Sequence, residues 1–145
     1  MIPPVHIQTA PLDAGVLREA ARNPESGAVV VFEGCARNCH DGKPVAELSY
    51  EAYEPMAIAQ LEVIRAEAID RFSLHSCLIH HRLGTVPLTE ASVIVVCASS
   101  HRSESLLAMA WLLDELKECV PIWKREHYQD HHTAWIEAGN IVDSE

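Results

Sequence analysis

The stretch Ser99–Glu126, SSHRSESLLAMAWLLDELKECVPIWKRE, decides how the remainder of the chain is interpreted. It begins with a polar turn that contains His101 and Arg102, continues with apolar residues at helical spacing, and breaks at Pro121. The whole chain is acidic, with a formal net charge of −10, yet this stretch holds two of its three lysines. A local concentration of cations in an acidic protein predicts a place where an anionic group binds.

Size and charge exclude several classes of function. With 145 residues, 48% of them hydrophobic and 22% charged, the chain is expected to form one domain, over residues 1–145, with a substantial core. It carries 21 acidic against 11 basic side chains, which argues against nucleic-acid or anionic-membrane binding, since both need a broad basic surface. A small anionic ligand in a local basic pocket is compatible with this charge.

The apolar runs and the cysteines indicate where the protein resides. No apolar run approaches the ~20 residues of a membrane span, and the N-terminal residues lack the basic start and apolar core of a signal peptide. The expected location is therefore the cytoplasm. The five cysteines are an odd number without framework spacing, so reduced thiols are expected rather than disulfides.

The hydrophobic pattern predicts an α+β fold with helices packed on a mostly antiparallel sheet. Asp41-Gly42 is a turn signal, and Val45–Ala52 is expected to pair across the loop 34–43 with Gly27–Glu33. Continuous apolar runs predict that Gly27–Glu33 and Ala91–Ser99 are buried on both faces. The other predicted elements are strands at Val5–Gln8, Cys77–Leu83 and around Trp135, and helices at Leu12–Arg22 with Asp13 as N-cap, from Glu54-Pro55 onward, and within Ser99–Glu126.

Lys117 stands out in the third helix. At about 100° per residue it falls among the apolar positions of the helix rather than with the neighbouring glutamates. One interpretation is a snorkelling lysine, whose stem packs on the core while the ammonium reaches water. The other is a lysine at the edge of a pocket that acts as nucleophile or proton carrier. The apolar arc, measured from Leu106, contains Met109, Ala110, Leu113, Leu116 and Val120.

Other basic residues extend this cluster. Lys124 lies beyond Pro121 in an extended segment, where a solvated strand residue is the alternative interpretation. His101-Arg102 lies between a buried strand and a helix, a position suited to anions, although an ordinary capped turn has the same pattern. Arg37 follows another buried strand and could join them. Together these residues suggest a pocket for a phosphorylated or otherwise anionic ligand.

Two other chemistries are weighed against this one. Cys35, Cys39 and His40 form a C-x3-C-H pattern that could bind zinc together with later histidines, but paired C-x2-C motifs are absent. A cysteine nucleophile would have to be Cys35 or Cys39, the two that lie on the predicted loop. No hydrolase elbow, P-loop or dinucleotide fingerprint is present in the sequence. The alternative interpretation of His40, His127, His131 and His132 is that they are surface histidines, and no metal site is predicted.

Read in order, four segments resemble the large, catalytic subunit of molybdopterin synthase. They are GAVVVFEGCARN, LSYEAYEPMA, HRLGTVPLTEASVIVVCASSHR and LKECVPIWKRE, and the similarity extends from about Gly27 to Trp135. The resemblance implies an α/β-hammerhead-type α+β fold and a central homodimer. It also implies that a small ubiquitin-like sulfur-carrier subunit with a C-terminal Gly-Gly binds at each end to form a heterotetramer.

The implied activity is sulfur transfer in molybdenum-cofactor biosynthesis. The carrier's C-terminal thiocarboxylate would supply the two dithiolene sulfurs that convert cyclic pyranopterin monophosphate into molybdopterin. No cofactor or metal is implied for this step. The alternative from another class is a non-catalytic scaffold that binds a glycine-tailed carrier or an anionic ligand.

The resemblance also implies roles for individual residues. Lys117 matches the lysine beside the carrier's terminal glycine, and Lys124 matches the second essential lysine, so both are expected to be catalytic and to bind substrate. The other expected substrate-binding residues are Arg37, His101, Arg102 and Arg125. Part of each binding pocket is expected to come from the other protomer. Cys35 departs from the family pattern, since some relatives carry a basic residue at that position.

Overall fold

The computed structural model describes residues 1–137 and 140–142. Over this part of the chain, helices and strands alternate in a mixed arrangement that confirms the predicted α+β class. The elements are β1 (Val5–Gln8), α1 (Ala14–Ala20), β2 (Ala28–Cys35), β3 (Cys39–His40), β4 (Lys43–Ala52), α2 (Glu54–Phe72), β5 (Ser76–Arg82), β6 (Gly84–Val86), β7 (Ala91–Ser99), α3 (Arg102–Cys119), β8 (Ile122–Tyr128), β9 (Thr133–Glu137) and β10 (Asn140–Val142).

The first sheet has the strand order β1-β5-β7-β2, with β1 parallel to β5 and the other neighbours antiparallel. All nine residues of β7 are buried, which confirms the prediction for Ala91–Ser99. The prediction that Gly27–Glu33 is buried on both faces is wrong, because β2 lies at the edge of this sheet and exposes Val29.

Helices cover both faces of this sheet. In β5 and β7, alternate side chains such as Ile79 and Val95 pack against α2 and α3, while Leu78 and Ile94 pack on the other face with Leu17 of α1. This two-sided cover explains why the central strands are continuous apolar runs. Within the described residues, no helix is both long and apolar enough to cross a membrane.

The helices begin where their capping signals predict. The Asp13 side chain accepts a hydrogen bond from the backbone N–H of Val16 at 3.2 Å, which makes it the N-cap of α1. Proline occupies the first turn of α2, where its missing N–H costs no helical hydrogen bond. At the other end of α2, Ser73 adopts a left-handed conformation (φ 53°) and ends the helix.

The second sheet has the order β10-β9-β8-β4-β3, and β6 also pairs with β4. Asp41 and Gly42 both have positive φ (51° and 79°), as a two-residue hairpin turn requires, and they join β3 to β4. The predicted pairing of Val45–Ala52 with Gly27–Glu33 is therefore wrong. The tight turn folds β4 back on β3, while β2 pairs with β7 in the first sheet.

The buried face of α3 matches the helical-wheel prediction only in part. Of the predicted arc, Met109 and Val120 are buried, and Leu113 and Leu116 pack against the core. The buried face also includes Ser105, Ala108 and Leu112, whereas Leu106 is 53% exposed and Lys117 is exposed. The Oγ atoms of Ser99 and Ser105 are 2.5 Å apart in a buried hydrogen bond. This bond satisfies the Ser105 hydroxyl, so a serine takes a core position and the leucines at the start of the helix face outward.

Candidate functional site

Two cavities meet where the second sheet approaches the C-terminal end of α3. In that sheet, Lys124 on β8 lies directly between Tyr50 on β4 and Ile136 on β9, so the three residues form a row across three strands. The chain leaves β5, enters β6, and pairs there with β4, which brings the end of the first sheet against this row. The basic residues thus lie at a junction of the two sheets rather than on one strand.

The inner cavity has a volume of about 190 Å³ and is partly open. This is smaller than the roughly 300–1,000 Å³ of pockets that hold a whole small molecule, so its size suits an end group. Walls come from the row on the second sheet, from the ends of β5 and β7, and from the last turn of α3. The lining residues are Tyr50, His81, Ser92, Val93, Leu116, Lys117, Ile122, Lys124 and Ile136.

The outer cleft is larger, about 700 Å³, and Lys117 borders both spaces. Trp123 is 50% exposed and lines this cleft. Its position follows from strand alternation, because Lys124 points to the inner cavity and Trp123 to the opposite face. The remaining lining residues are Glu51, Met56, Glu118, Cys119, Val120, Pro121, Ile122, Trp135 and Ile136.

The amine of Lys124 is half-buried and its pKa is lowered. Burial lowers its pKa, the positive charges of Lys117 and Arg37 lower it further, and Glu126 opposes them. The sequence pattern had drawn attention to Lys117, which is exposed at the cavity rim. The structure therefore brings Lys117, Lys124 and Arg37 together and leaves the half-buried position to Lys124.

A polar group in the inner cavity was missed by the reasoning from sequence. Tyr50, His81 and Ser92 line it, with the Tyr50 and His81 rings 5.1 Å apart and nearly perpendicular. Burial raises the pKa of Tyr50, and burial lowers the pKa of His81 to about 4. A signal existed, since a buried apolar strand that ends in His80-His81-Arg82 places polar groups where a sheet stops.

Glu126 lies on β8, like Lys124, and buried hydrogen-bond donors fix the position of its carboxylate. Its Oε1 lies 2.8 Å from Nδ1 of His40 and 2.5 Å from the hydroxyl of Tyr128. Strand alternation places Glu126 on the same side of β8 as Lys124, two residues away. His40, considered as a zinc ligand in the sequence, is thus engaged with a carboxylate.

His101 and Arg102 lie at the other end of α3. They form a shallow site with Gly27, Ser100 and Ser103, and both side chains are exposed. Lys117 follows Arg102 by 15 residues on the same helix, which corresponds to about 22 Å at 1.5 Å per residue. Within one chain, the turn and the two lysines therefore belong to separate places.

The last predicted basic position, Arg125, follows Lys124 directly on β8 and therefore points to the opposite face of the strand. It lies opposite Trp135, and its guanidinium carbon is 4.1 Å from the centre of the indole ring. Among the described side chains, its Nε is buried and without a hydrogen-bond partner.

The cysteines form no cluster. Cys35 and Cys39 are exposed, as is Cys119, while Cys77 and Cys97 are buried opposite one another on β5 and β7. Among residues 1–137 and 140–142, no three His, Cys, Asp or Glu residues come together in a way that could hold a metal ion.

Comparison with known proteins connects this site to one family. The family model described as "MoaE protein" matches residues 7–119. The chain is 46% identical to the molybdopterin synthase catalytic subunit of Culex quinquefasciatus, over 82% of this chain and 76% of that one. It is 40% identical to the molybdopterin synthase catalytic subunit of Nostoc sp., over 95% and 84% of the two chains.

Solved structures have the same fold. Molybdopterin synthase from Staphylococcus aureus matches with a TM-score of 0.88 and 32% identity, over 94% of this chain and 98% of that one. A complex of subunits 1 and 2 of the molybdopterin-converting factor from Helicobacter pylori matches with a TM-score of 0.75 and 25% identity, over 94% and 90% of the chains.

Proposed function

The chain belongs to the MoaE protein family, and from this premise we propose that it is the catalytic subunit of a molybdopterin synthase. As such it transfers sulfur from the C-terminal thiocarboxylate of a small ubiquitin-like carrier subunit to cyclic pyranopterin monophosphate. The product is the dithiolene of molybdopterin. The family resemblance seen in the sequence is confirmed by the family match and by these relatives.

The observation that carries this proposal is the half-buried Lys124 beside Lys117 in a cavity sized for an end group. A thiocarboxylate and a phosphate are both anions, and negative charge moves during attack of sulfur on the pterin side chain. Cations already held in a partly desolvated cavity stabilise such charge more strongly than the same groups in water. Because sulfur arrives on the carrier, no cysteine of this chain is needed as nucleophile.

The two spaces suggest how the carrier is received. The outer cleft, bordered by Trp123 and Met56, gives an extended peptide tail apolar surface, and the inner cavity takes its terminal group between the lysines. A related solved structure is a complex of two subunits, which supports a small-subunit partner for this chain as well.

The separation of the basic residues supports a homodimer. His101 and Arg102 provide an anion site at the N-terminus of α3, but they lie about 22 Å along the helix from Lys117 in the same chain. A second protomer that brings its own turn to the lysine cavity completes a site for the phosphorylated substrate. In this arrangement Arg37 and Arg125 also bind the substrate. The chain forms a single-domain subunit, and the enzyme works in the cytoplasm.

The test is reconstitution. The purified chain is mixed with a thiocarboxylated carrier and cyclic pyranopterin monophosphate, and molybdopterin is measured. Lys117→Ala and Lys124→Ala are each expected to reduce product formation by at least 100-fold, the order of magnitude for loss of one electrostatic group from a catalytic site. Lys43→Ala is the matched control, since Lys43 is the remaining lysine and lies outside both cavities.

Full activity in both cavity variants would refute the assigned roles of the lysines. Carrier binding without any product, in the presence of a demonstrably active carrier, would instead support the non-catalytic scaffold. These outcomes differ from loss of folding, which circular dichroism of each variant detects separately.

A further inference from the structure

His81 is the most buried ionisable group of the inner cavity. Side chains alternate along β5, so His81 faces α2 and α3 with Cys77 and Ile79, while His80 faces the opposite layer. His81 is only 3% exposed, and it lines the cavity beside Tyr50 and Ser92. Because the imidazole is buried, its two ring nitrogens must find their hydrogen-bond partners within the protein.

One ring nitrogen is already committed. Nδ1 lies 2.9 Å from the backbone oxygen of Arg82, and because a carbonyl oxygen only accepts, Nδ1 carries the hydrogen. Burial lowers the pKa of His81 to about 4, so the ring is neutral near pH 7. The second nitrogen, Nε2, therefore offers a lone pair, and no hydrogen bond from a described side chain reaches it.

The donors that line the cavity are the hydroxyls of Ser92 and Tyr50 and the two lysine ammonium groups. The Ser92 hydroxyl donates to the backbone oxygen of Gly34 at 3.1 Å, and the Tyr50 hydroxyl is engaged with Ser92. The remaining donors are the ammonium groups of Lys117 and Lys124. Lys117 is exposed at the rim, so it satisfies its N–H groups with water.

Lys124 is different because it is partly desolvated. Among the described side chains it has no hydrogen-bond or ion-pair partner, and burial is the main cause of its lowered pKa. It lies directly opposite Tyr50, whose ring contacts the His81 ring at 5.1 Å between centroids. The cavity thus contains an unpaired acceptor and an unpaired donor, and the four-carbon stem of a lysine allows the ammonium to move between them.

We propose that His81 is a positioning residue for Lys124, whose ammonium donates a hydrogen bond to Nε2 and is held in the inner cavity. A neutral acceptor orients the cation without cancelling its charge, as a carboxylate would. The other two N–H groups of the ammonium then face the anionic end group. This inference rests on the proposed function for its purpose, but the contact itself is testable without any substrate.

The surroundings of His81 agree with a neutral acceptor. Tyr50 faces it from β4, Ser92 from β7, Lys124 from β8 and Lys117 from the end of α3. Protonation of His81 would add a further positive charge to a cavity where two cations already disfavour the charged form of Lys124.

The experiment separates the two ring nitrogens by substitution. His81→Asn keeps an N–H at the position of Nδ1 and removes the acceptor at Nε2, while His81→Gln keeps an acceptor near Nε2 and removes the group at Nδ1. The chain has three lysines, so ¹³C-labelled lysine gives three side-chain titrations by NMR, and Lys124→Met assigns the one of interest.

The expected result is a Lys124 midpoint about 0.7 pH unit lower in His81→Asn than in wild type, which is the effect of losing one hydrogen bond of ordinary strength to the charged form. In His81→Gln the midpoint is expected to stay near that of wild type. An unchanged midpoint in His81→Asn, or equal drops in both variants, would overturn the proposal. A merely structural role of the Nδ1 contact predicts the opposite, with His81→Gln the more damaged variant.

A second measurement keeps the proposal testable if the His81 variants do not fold. The ¹⁵N chemical shift of Nε2 is measured in the wild type, in Lys124→Met and in the control Lys43→Met. Removal of the donor is expected to move the Nε2 shift, and the control is expected to leave it in place. An Nε2 shift that Lys124→Met does not move would overturn the contact.

Activity assays separate this inference from the proposed function. If wild type makes molybdopterin, loss of the His81 acceptor is expected to move the alkaline limb of the rate–pH profile to lower pH, together with the Lys124 midpoint. If wild type makes no product while the Lys124 midpoint still depends on His81, the proposed function fails and the contact stands. If product forms and the midpoint does not respond, only this inference fails.

Discussion

Acid is expected to weaken the fold through His81. Burial lowers the pKa of its ring from the ordinary 6.5 to about 4 in the folded protein. As the pH falls below 6.5 the unfolded chain takes up a proton that the folded chain still excludes, so the free energy of unfolding decreases. The stability contributed by the neutral ring is therefore complete above pH 6.5 and is lost progressively toward pH 4.

The magnitude follows from the two pKa values. The gap between them corresponds to about 3 kcal/mol at the limit, of which about 2 kcal/mol is lost between pH 7 and pH 5. This is a large fraction of the 5–15 kcal/mol that stabilises a typical domain. His81 is 3% exposed, so little of the effect is screened by solvent.

The assay compares urea unfolding of wild type and His81→Asn at pH 7, 6 and 5. Other groups that titrate in this range, including His80, whose pKa burial also lowers, are present in both proteins and cancel in the difference. Wild-type stability relative to the variant is expected to fall by about 2 kcal/mol between pH 7 and pH 5. A difference that stays constant over this range would show that the folded protein does not hold His81 neutral, and would refute the reasoning.

Three further outcomes are expected. Leu112 of α3 is fully buried, so Leu112→Ala should lower the free energy of unfolding by about 2–5 kcal/mol. Leu107 is 62% exposed, so Leu107→Ala should lower it by less than about 0.5 kcal/mol. Equal losses of stability in urea unfolding would contradict the observed orientation of the helix. A Cβ at Gly27 would lie 2.5 Å from a backbone oxygen of the turn before α3, so Gly27→Ala should cost about 1–3 kcal/mol, and unaltered thermal unfolding would argue against this close approach. Glu126 favours the charged form of Lys124, so Glu126→Gln should lower the Lys124 midpoint in the ¹³C titration, and a rise would reverse the assigned sign.

Local signals predicted the elements well where one short-range interaction decides them. The cap at Asp13, the proline that begins α2 and the Asp41-Gly42 turn each act within a few residues, and each is present in the structure. Strand Ala91–Ser99 was predicted with its observed bounds because helices cover both faces of the first sheet, which makes the whole strand apolar.

Pairing and helix orientation were harder to predict. The partner of β4 was assigned wrongly, since a strand's sequence records which face is apolar but not which neighbour forms its hydrogen bonds. The buried face of α3 was predicted only in part, because the pattern counts leucines and cannot anticipate that Ser99 and Ser105 satisfy each other inside the core. As a result the wheel placed Lys117 among apolar neighbours, although it is exposed.

The order of residue types along the chain was enough to predict the α+β class, the concentration of cations between Ser99 and Glu126, and the family. The desolvation of the Lys124 amine, and the presence of His81 and Tyr50 in the same cavity, became evident from the folded structure alone. Desolvation and contact depend on what surrounds a group in space. The cavity forms because β6, which follows β5 of the first sheet, pairs with β4 of the second sheet. No local pattern in the sequence predicts this pairing, so the sequence could not show which amine would be desolvated.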